Sequence, residues 1–174
     1  MKARQWAIFW LAVWLTGTVL TAIVATQNFY TIDRLLEYSQ NDSFQRAVQQ
    51  LGRAPARDLL RYLSSELNRL YFQYWNIAQL AIGIPVLWLV VKLPHAARPK
   101  WAIVSMLGIV LLMTVWITPQ ILSVGRSLDF VPRNPAPPQL RTFGLLHAAY
   151  TVMDGIVLIL GVIATLGIVQ KAES

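Results

Sequence analysis

Four long apolar runs, at about Trp6–Thr26, Tyr71–Leu93, Trp101–Leu122 and Thr142–Val169, restrict what this chain can become more than any other feature. A helix needs roughly 20 residues to cross the hydrocarbon core of a bilayer, and each run is of that length. The expected fold is therefore all-α: a four-transmembrane-helix bundle, with residues 1–174 forming a single integral membrane domain. Composition agrees. Hydrophobic residues make up 56% of the chain and charged residues 13%, against roughly 25% charged in an average soluble protein.

The net charge of +7 raises the question of nucleic acid. The basic residues are scattered over the loops, with no stripe backed by stacking aromatics, so no nucleic-acid partner is expected. A basic membrane protein facing anionic lipid accounts for the charge more simply. The chain has no cysteine, which excludes disulfides, thiolate metal sites and cysteine nucleophiles. Lys2 and Arg4 precede the first apolar run as in a signal peptide. That run is longer than the usual 7–15 residues of a signal core, and Ile23 and Ala25 make a poor cleavage site. An uncleaved first helix is expected.

Short-loop charge sets the orientation. Lys2, Arg4, Lys92, Arg98, Lys100 and Lys171 crowd the termini and the tight second loop, whereas the two other loops carry only arginines, spread more thinly. The denser side is expected to be cytoplasmic, with both termini inside. The long first loop, about Gln27–Leu70, and the shorter one, about Ser123–Arg141, then face outward. Apolar residues recur at helical spacing in the long loop: Phe29, Ile32, Leu35 and Leu36, then Phe44, Ala47, Val48 and Leu51. Asp42 or Ser43 can cap the second piece, Gly52 ends it, and Pro55 fits position N1 of a third. The first span should continue outward to about Tyr38. The second should begin outside the bilayer, with Leu59, Leu60, Leu63 and Leu67 on one face and Pro85 tolerated within it. These pieces predict an extramembrane helical cap. Asp33, Glu37 and Glu66 can pair with nearby arginines. Four prolines in Pro132–Pro138 forbid a helix there. No internal repeat is evident. Gly17, Ala22, Ala25, Gly83, Gly108 and Gly155 are the small residues expected at helix contacts.

Polar side chains inside a span are costly and face the bundle interior or mark function. His147, Tyr150, Thr151 and Asp154 recur at i, i+3, i+4 and i+7. Asn68, Tyr71, Phe72, Trp75 and Gln79 form a second stripe, with Asn76 at its edge. Thr18, Thr21, Ala25 and Asn28 form a third, with Thr16 close by, and Thr114 and Gln120 lie on the third span. Together they predict a polar chamber in the outer half of the bundle, with His147 and Asp154 as its titratable members. The ligand or proton site would comprise His147, Asp154, Tyr150, Gln79 and Asn76. Three roles fit: mutual hydrogen bonding that fixes helix register, a ligand or proton site, and a bound cofactor. No cofactor is required. Haem is the one weighed, with His147 as a weak metal-ligand candidate, alone, with Met113, or across a dimer. His95 lies in the cytoplasmic loop, on the order of 20–30 Å from His147 by helical rise, so the two histidines cannot share one haem. Walker A, G-x-S-x-G and H-E-x-x-H motifs are absent, and no catalytic residue is expected.

Span, long loop, two spans joined by a short basic loop, then a span opening Phe143-x-x-x-His147 form a recognisable order. Trp14-x-x-Gly17 lies on the first helix, and Tyr71-Phe72 opens the second. This resembles a bacterial family of four-helix integral membrane proteins of unknown function related to transmembrane protein 205. The resemblance implies the four-helix fold and a bacterial plasma (inner) membrane. The expected function is a small non-enzymatic membrane protein that binds a protein partner or small ligand, as a homo-oligomer or as an accessory subunit of a membrane complex. The alternatives are a proton-linked transporter or efflux protein using Asp154 and His147, and a membrane haem or metal protein.

Overall fold

A computed structural model of the chain describes residues 2–94 and 96–170. Within them the order is α1 (Lys2–Tyr38), α2 (Asp42–Leu51), α3 (Arg53–Val91), α4 (Ala97–Leu112), a π-helical turn (Met113–Ile117), α5 (Thr118–Arg126) and α6 (Gln139–Gln170). No strand occurs among the described residues. Four continuous segments are long and apolar enough to cross a membrane: Lys2–Tyr38, Arg53–Val91, Ala97–Arg126 and Gln139–Gln170. His95, Lys171 and Ser174 lie outside the described residues, and with them the expectation for the His95 loop.

The four segments run antiparallel. The start of α1, the α3–α4 turn and the finish of α6 share one end, here the terminal end; α2 and the connection after α5 lie at the other, the loop end. Arg4 closes the terminal end. Its guanidinium donates to the Ile168 carbonyl at 2.7 and 3.0 Å and to that of Val169 at 2.9 Å. A cation at the last carbonyls of a helix satisfies orphan acceptors and suits the helix dipole.

The buried face of α1 reads Ala7, Leu11, Trp14, Thr18, Ala25, Ile32 and Leu36, a repeat of threes, fours and sevens that keeps one stripe inward along the whole helix. At the terminal end it meets Val86, Val90, Ile103, Met106, Val110, Val157 and Ala164 in a wholly apolar core. At the loop end Ile32 and Leu36 pack with Val48 and Ala56, and Phe44 and Leu60 flank them. The Asn41 side chain caps α2 by accepting from the Phe44 N–H at 3.0 Å. The cap is thus Asn41 rather than Asp42 or Ser43. Gly52, at φ 91°, closes α2 and opens α3. Pro55 falls at the third position of α3, not the first, still within the turn whose N–H groups have no helical partner.

Small residues divide into two groups. A Cβ on Gly83 would come within 2.7 Å of Trp14 and 2.5 Å of Leu107, and Gly17 against Trp75 and Gly161 against Leu15 leave no room at all. Ala25 is buried. Ala22 is exposed, and Gly108 and Gly155 meet nothing within 4 Å, so these three do not mediate contacts inside the chain.

The third span is not one uniform α-helix. Pro119 has no N–H for the Val115 carbonyl, and its ring crowds that carbonyl. The helix widens one turn earlier, where the Thr118 N–H reaches the Met113 carbonyl. A π turn of this kind rotates the residues beyond it; here Thr118, Ile121 and Gly125 become the buried positions of α5.

Candidate functional site

A hydrogen-bond chain crosses the centre of the bundle. Trp14 Nε1 on α1 donates to Gln79 Oε1 at 2.8 Å. Gln79 Nε2 donates to Asn76 Oδ1 at 3.5 Å, and Asn76 Nδ2 donates to Thr118 Oγ1 at 2.8 Å. The Tyr150 hydroxyl of α6 donates to Asn76 Oδ1 at 2.7 Å. Trp14 and Gln79 are 0% exposed and Asn76 1%. Each of the four long segments contributes, α3 with two members and the others with one each. Beside the chain, Trp75 Nε1 donates to Thr18 Oγ1 at 3.3 Å. Nearer the loop end, Asn68 donates to the Ala25 carbonyl at 2.8 Å and accepts from Asn28 at 2.7 Å.

Next to this chain, toward the loop end, α3, α5, α6 and the segment after α5 enclose a cavity of about 740 Å³. That is within the roughly 300–1,000 Å³ of small-molecule sites. Phe72, Ile121, Leu122 and Phe143 line its walls, and Thr118, His147 and Tyr150 lie deepest. Asp58, Arg61, Arg69, Asp129 and Arg133 carry the charge around it. The His147 ring sits between Phe143, at 4.8 Å between centroids, and Phe72, edge-on at 6.2 Å.

One buried ion network shapes the rim. Arg69 is 8% exposed; it donates to Asp129 at 2.8 Å and also pairs with Glu66. Asp129 is 17% exposed. The pair ties α3 to the connection after α5, across the backbone of Gly125, where a Cβ would lie 3.5 Å from the guanidinium. Next along, Phe130 takes φ 57°, a conformation rare for bulky side chains, and its ring stacks on Tyr62 at 5.1 Å. By contrast, Arg53–Glu37 and Arg57–Asp33 are about half exposed.

The single chamber expected from sequence is thus two features. Asn76 and Gln79 belong to the satisfied chain and do not line the cavity; Asn76, expected at the edge of its helix stripe, is the centre of the hydrogen-bond chain. Tyr150 joins the two features. His147 lines the cavity, and its buried Nδ1 has no hydrogen-bond partner. Asp154 does not line this cavity, and its buried Oδ1 likewise has no hydrogen-bond partner among the described residues. Thr151 and Thr16 are exposed. The hydroxyls of Thr151 and Thr114 return to the carbonyls of His147 and Val110, and the Gln120 amide to that of Trp116. No group of three or more His, Cys, Asp or Glu side chains at metal-binding proximity occurs among the described residues. Sequence reasoning missed Trp14, Thr118 and Arg69. The spacing of Leu11, Trp14 and Thr18 carried a signal for Trp14; nothing local announced that Arg69 meets Asp129.

Comparison with known proteins gave no match to a family model, to a curated protein or to a solved structure.

Proposed function

We propose that the chain is a non-enzymatic integral membrane protein whose role is to bind a small ligand in the loop-end cavity. The observation that carries this is the cavity itself: a pocket of ligand size with aromatic, aliphatic and polar side chains on its walls, a charged rim and a buried, unpartnered histidine nitrogen. Native polar groups without partners call for a specific account, and a ligand supplies one for His147. In this reading the membrane is the plasma membrane of a bacterium, and the termini are cytoplasmic. The loop end, with α2, then forms a cap beyond the lipid. Helix length supports that last point. With 37 and 39 residues, α1 and α3 are about 55–60 Å long, nearly twice the roughly 30 Å hydrocarbon core. Kinship with the bacterial family related to transmembrane protein 205 belongs to the same proposal, as does assembly with a second copy or a membrane-complex partner.

The test is to purify the protein gently from its native membrane and identify by mass spectrometry the small molecules released on unfolding. Near-stoichiometric recovery of one compound from wild type, and its loss in Leu122→Trp, which fills the cavity, is the expected result. Only bulk lipid, identical in both proteins, would reject the reading. Co-purification of a stoichiometric protein instead would favour an accessory subunit.

The second reading is proton-linked transport. The unpartnered Asp154 Oδ1 favours it, since an isolated intramembrane carboxyl is a standard proton carrier. Against it stands the terminal half of the bundle, where the buried side chains beyond Gln79 are apolar and offer a proton no path. Proton flux into liposomes, lost in Asp154→Asn, would reverse that judgement.

A further inference from the structure

We propose that the cavity takes a single-chain amphiphile with an anionic head group, the head at Arg61 and Arg133 and the chain along Phe72, Leu122 and Phe143. This rests on the ligand-binding reading and gives the ligand its chemistry. Charge at the rim is the first argument. Arg69 is already neutralised by Glu66 and Asp129, and Arg53 and Arg57 are paired outside the cavity. Arg61 is half-buried in the wall and makes no ion pair or side-chain hydrogen bond among the described residues. Arg133, exposed on the segment after α5, reaches only the Leu128 carbonyl, at 3.5 Å. Asp58 also lines the cavity and is unpaired; like Arg133 it is exposed and solvated by water, so the unmet donors that carry the argument are those of Arg61, with Arg133 adding charge at the mouth. A half-buried guanidinium has five donors that call for oxygen acceptors, and carboxylate or phosphate matches its fork best.

Polarity along the cavity is the second argument. Below the arginines α3 presents Ser65, Asn68 and the neutralised Arg69, while Phe72, Leu122 and Phe143 supply an apolar strip. At the bottom, the Tyr150 hydroxyl donates to Asn76 and the Thr118 hydroxyl accepts from it. Besides the unpartnered His147 Nδ1, which can meet one polar group on the chain, the deep end offers little for a second charged group and suits an apolar chain. About 16 Å of helix separates Arg61 from Phe72, room for a chain rather than a compact polar metabolite. A site with a cationic mouth and an apolar depth selects a molecule with one charged end.

The experiment uses the full chain in nanodiscs of zwitterionic lipid and a palmitate carrying a mid-chain diazirine. After irradiation, labelled peptides are mapped by mass spectrometry, with unlabelled palmitate, hexadecyl phosphate, lysophosphatidylcholine and hexadecanol as competitors. Labelling should concentrate on residues 118–125 and 140–150. Palmitate and hexadecyl phosphate should compete at concentrations about tenfold lower than the other two, and the difference between them separates a carboxylate from a phosphate ligand. Arg61→Gln with Arg133→Gln should abolish that preference while leaving the label in place. Leu122→Trp should remove the label, and Leu122→Phe serves if the larger side chain lowers folded yield. Equal competition by all four compounds, unchanged in the arginine variants, would overturn the anionic head group and leave a ligand site standing. Label spread over the lipid-facing surface, and indifferent to Leu122, would overturn both.

Discussion

Asn76 satisfies partners from two other spanning segments and from its own helix with one side chain. Its carbonyl accepts from Tyr150 and Gln79 and its amide donates to Thr118. Interhelical hydrogen bonds in membranes average about 0.6 kcal/mol and reach about 1.7. Asn76→Leu, which strands the Tyr150 hydroxyl and the Thr118–Gln79 side, should therefore cost about 2 kcal/mol. Steric trapping in bicelles measures this; a loss below about 0.5 kcal/mol would mean the chain is decorative. Asp154 behaves in the opposite sense. An unpartnered buried acceptor costs about 1–3 kcal/mol, so Asp154→Leu should raise the thermal midpoint, and Asp154→Asn should change it little. A large drop in either would show that Asp154 has a partner outside the chain. Had Asp154 belonged to a register-fixing cluster, Leu would have lowered folded yield; its isolation inverts that expectation. The stripe on α6 was legible from spacing alone, because i, i+3 and i+7 fall on one helix face whatever the tertiary structure. Which members of it found partners was not. Tyr150 reaches Asn76 across the bundle, and a tryptophan such as Trp14 looks like packing until its indole N–H faces Gln79.

At the scale of the element, glycines make the sharpest test of packing. Gly17 and Gly108 are indistinguishable in sequence, each a small residue within an apolar run. Gly17 lies against the Trp75 indole, whereas nothing stands near Gly108. Gly17→Ala should destabilise by about 1–3 kcal/mol through overpacking. Gly108→Ala should be neutral, or stabilising by a few tenths up to about 1 kcal/mol through helix propensity. Unfolding of the two variants under one set of conditions decides it, and equal effects would contradict the α1–α3 contact. Helix boundaries were largely visible in sequence: α1 ends at Tyr38 and α2 runs Asp42–Leu51, where amphipathic spacing and turn residues placed them. The break in the third span was not inferred, although Pro119 was in plain view, because a membrane helix absorbs proline in several ways and only packing selects the π turn. The buried pair Arg69–Asp129 joins residues far apart in sequence. Removing one partner of such a pair costs about 3–5 kcal/mol. Arg69→Met should accordingly collapse the cavity rim, read as protease cutting after α5, while Arg53→Met should cost no more than about 1 kcal/mol.

The whole molecule is a rod of helices rather than a globule. Its accessible surface is 11033 Å² for 19.6 kDa, against roughly 8,600 Å² for a folded soluble protein of that mass. The excess is apolar. Trp6, Trp88 and Trp101 stand exposed toward the terminal end, Tyr30, Tyr74 and Trp116 toward the loop end. Aromatics of that kind favour the two faces of a bilayer. If the roughly 30 Å hydrocarbon core starts at Trp88, helical rise carries it to about Asn68 on α3, which in the proposed reading leaves α2 beyond the lipid and Asn76 within it. In the proposed orientation the lysines of the terminal end face the cytoplasm. Because the chain has no cysteine, single cysteines report the orientation without background. Ser43→Cys, exposed on α2, should react with a membrane-impermeant maleimide in spheroplasts, whereas Lys100→Cys, at the opposite end, should react only after permeabilisation. The reverse pattern would invert the orientation, and it would open the cavity to the cytoplasm. Ligand arriving from the cell interior would then replace ligand arriving from outside, while the chemistry of Arg61 and Phe143 would stay the same.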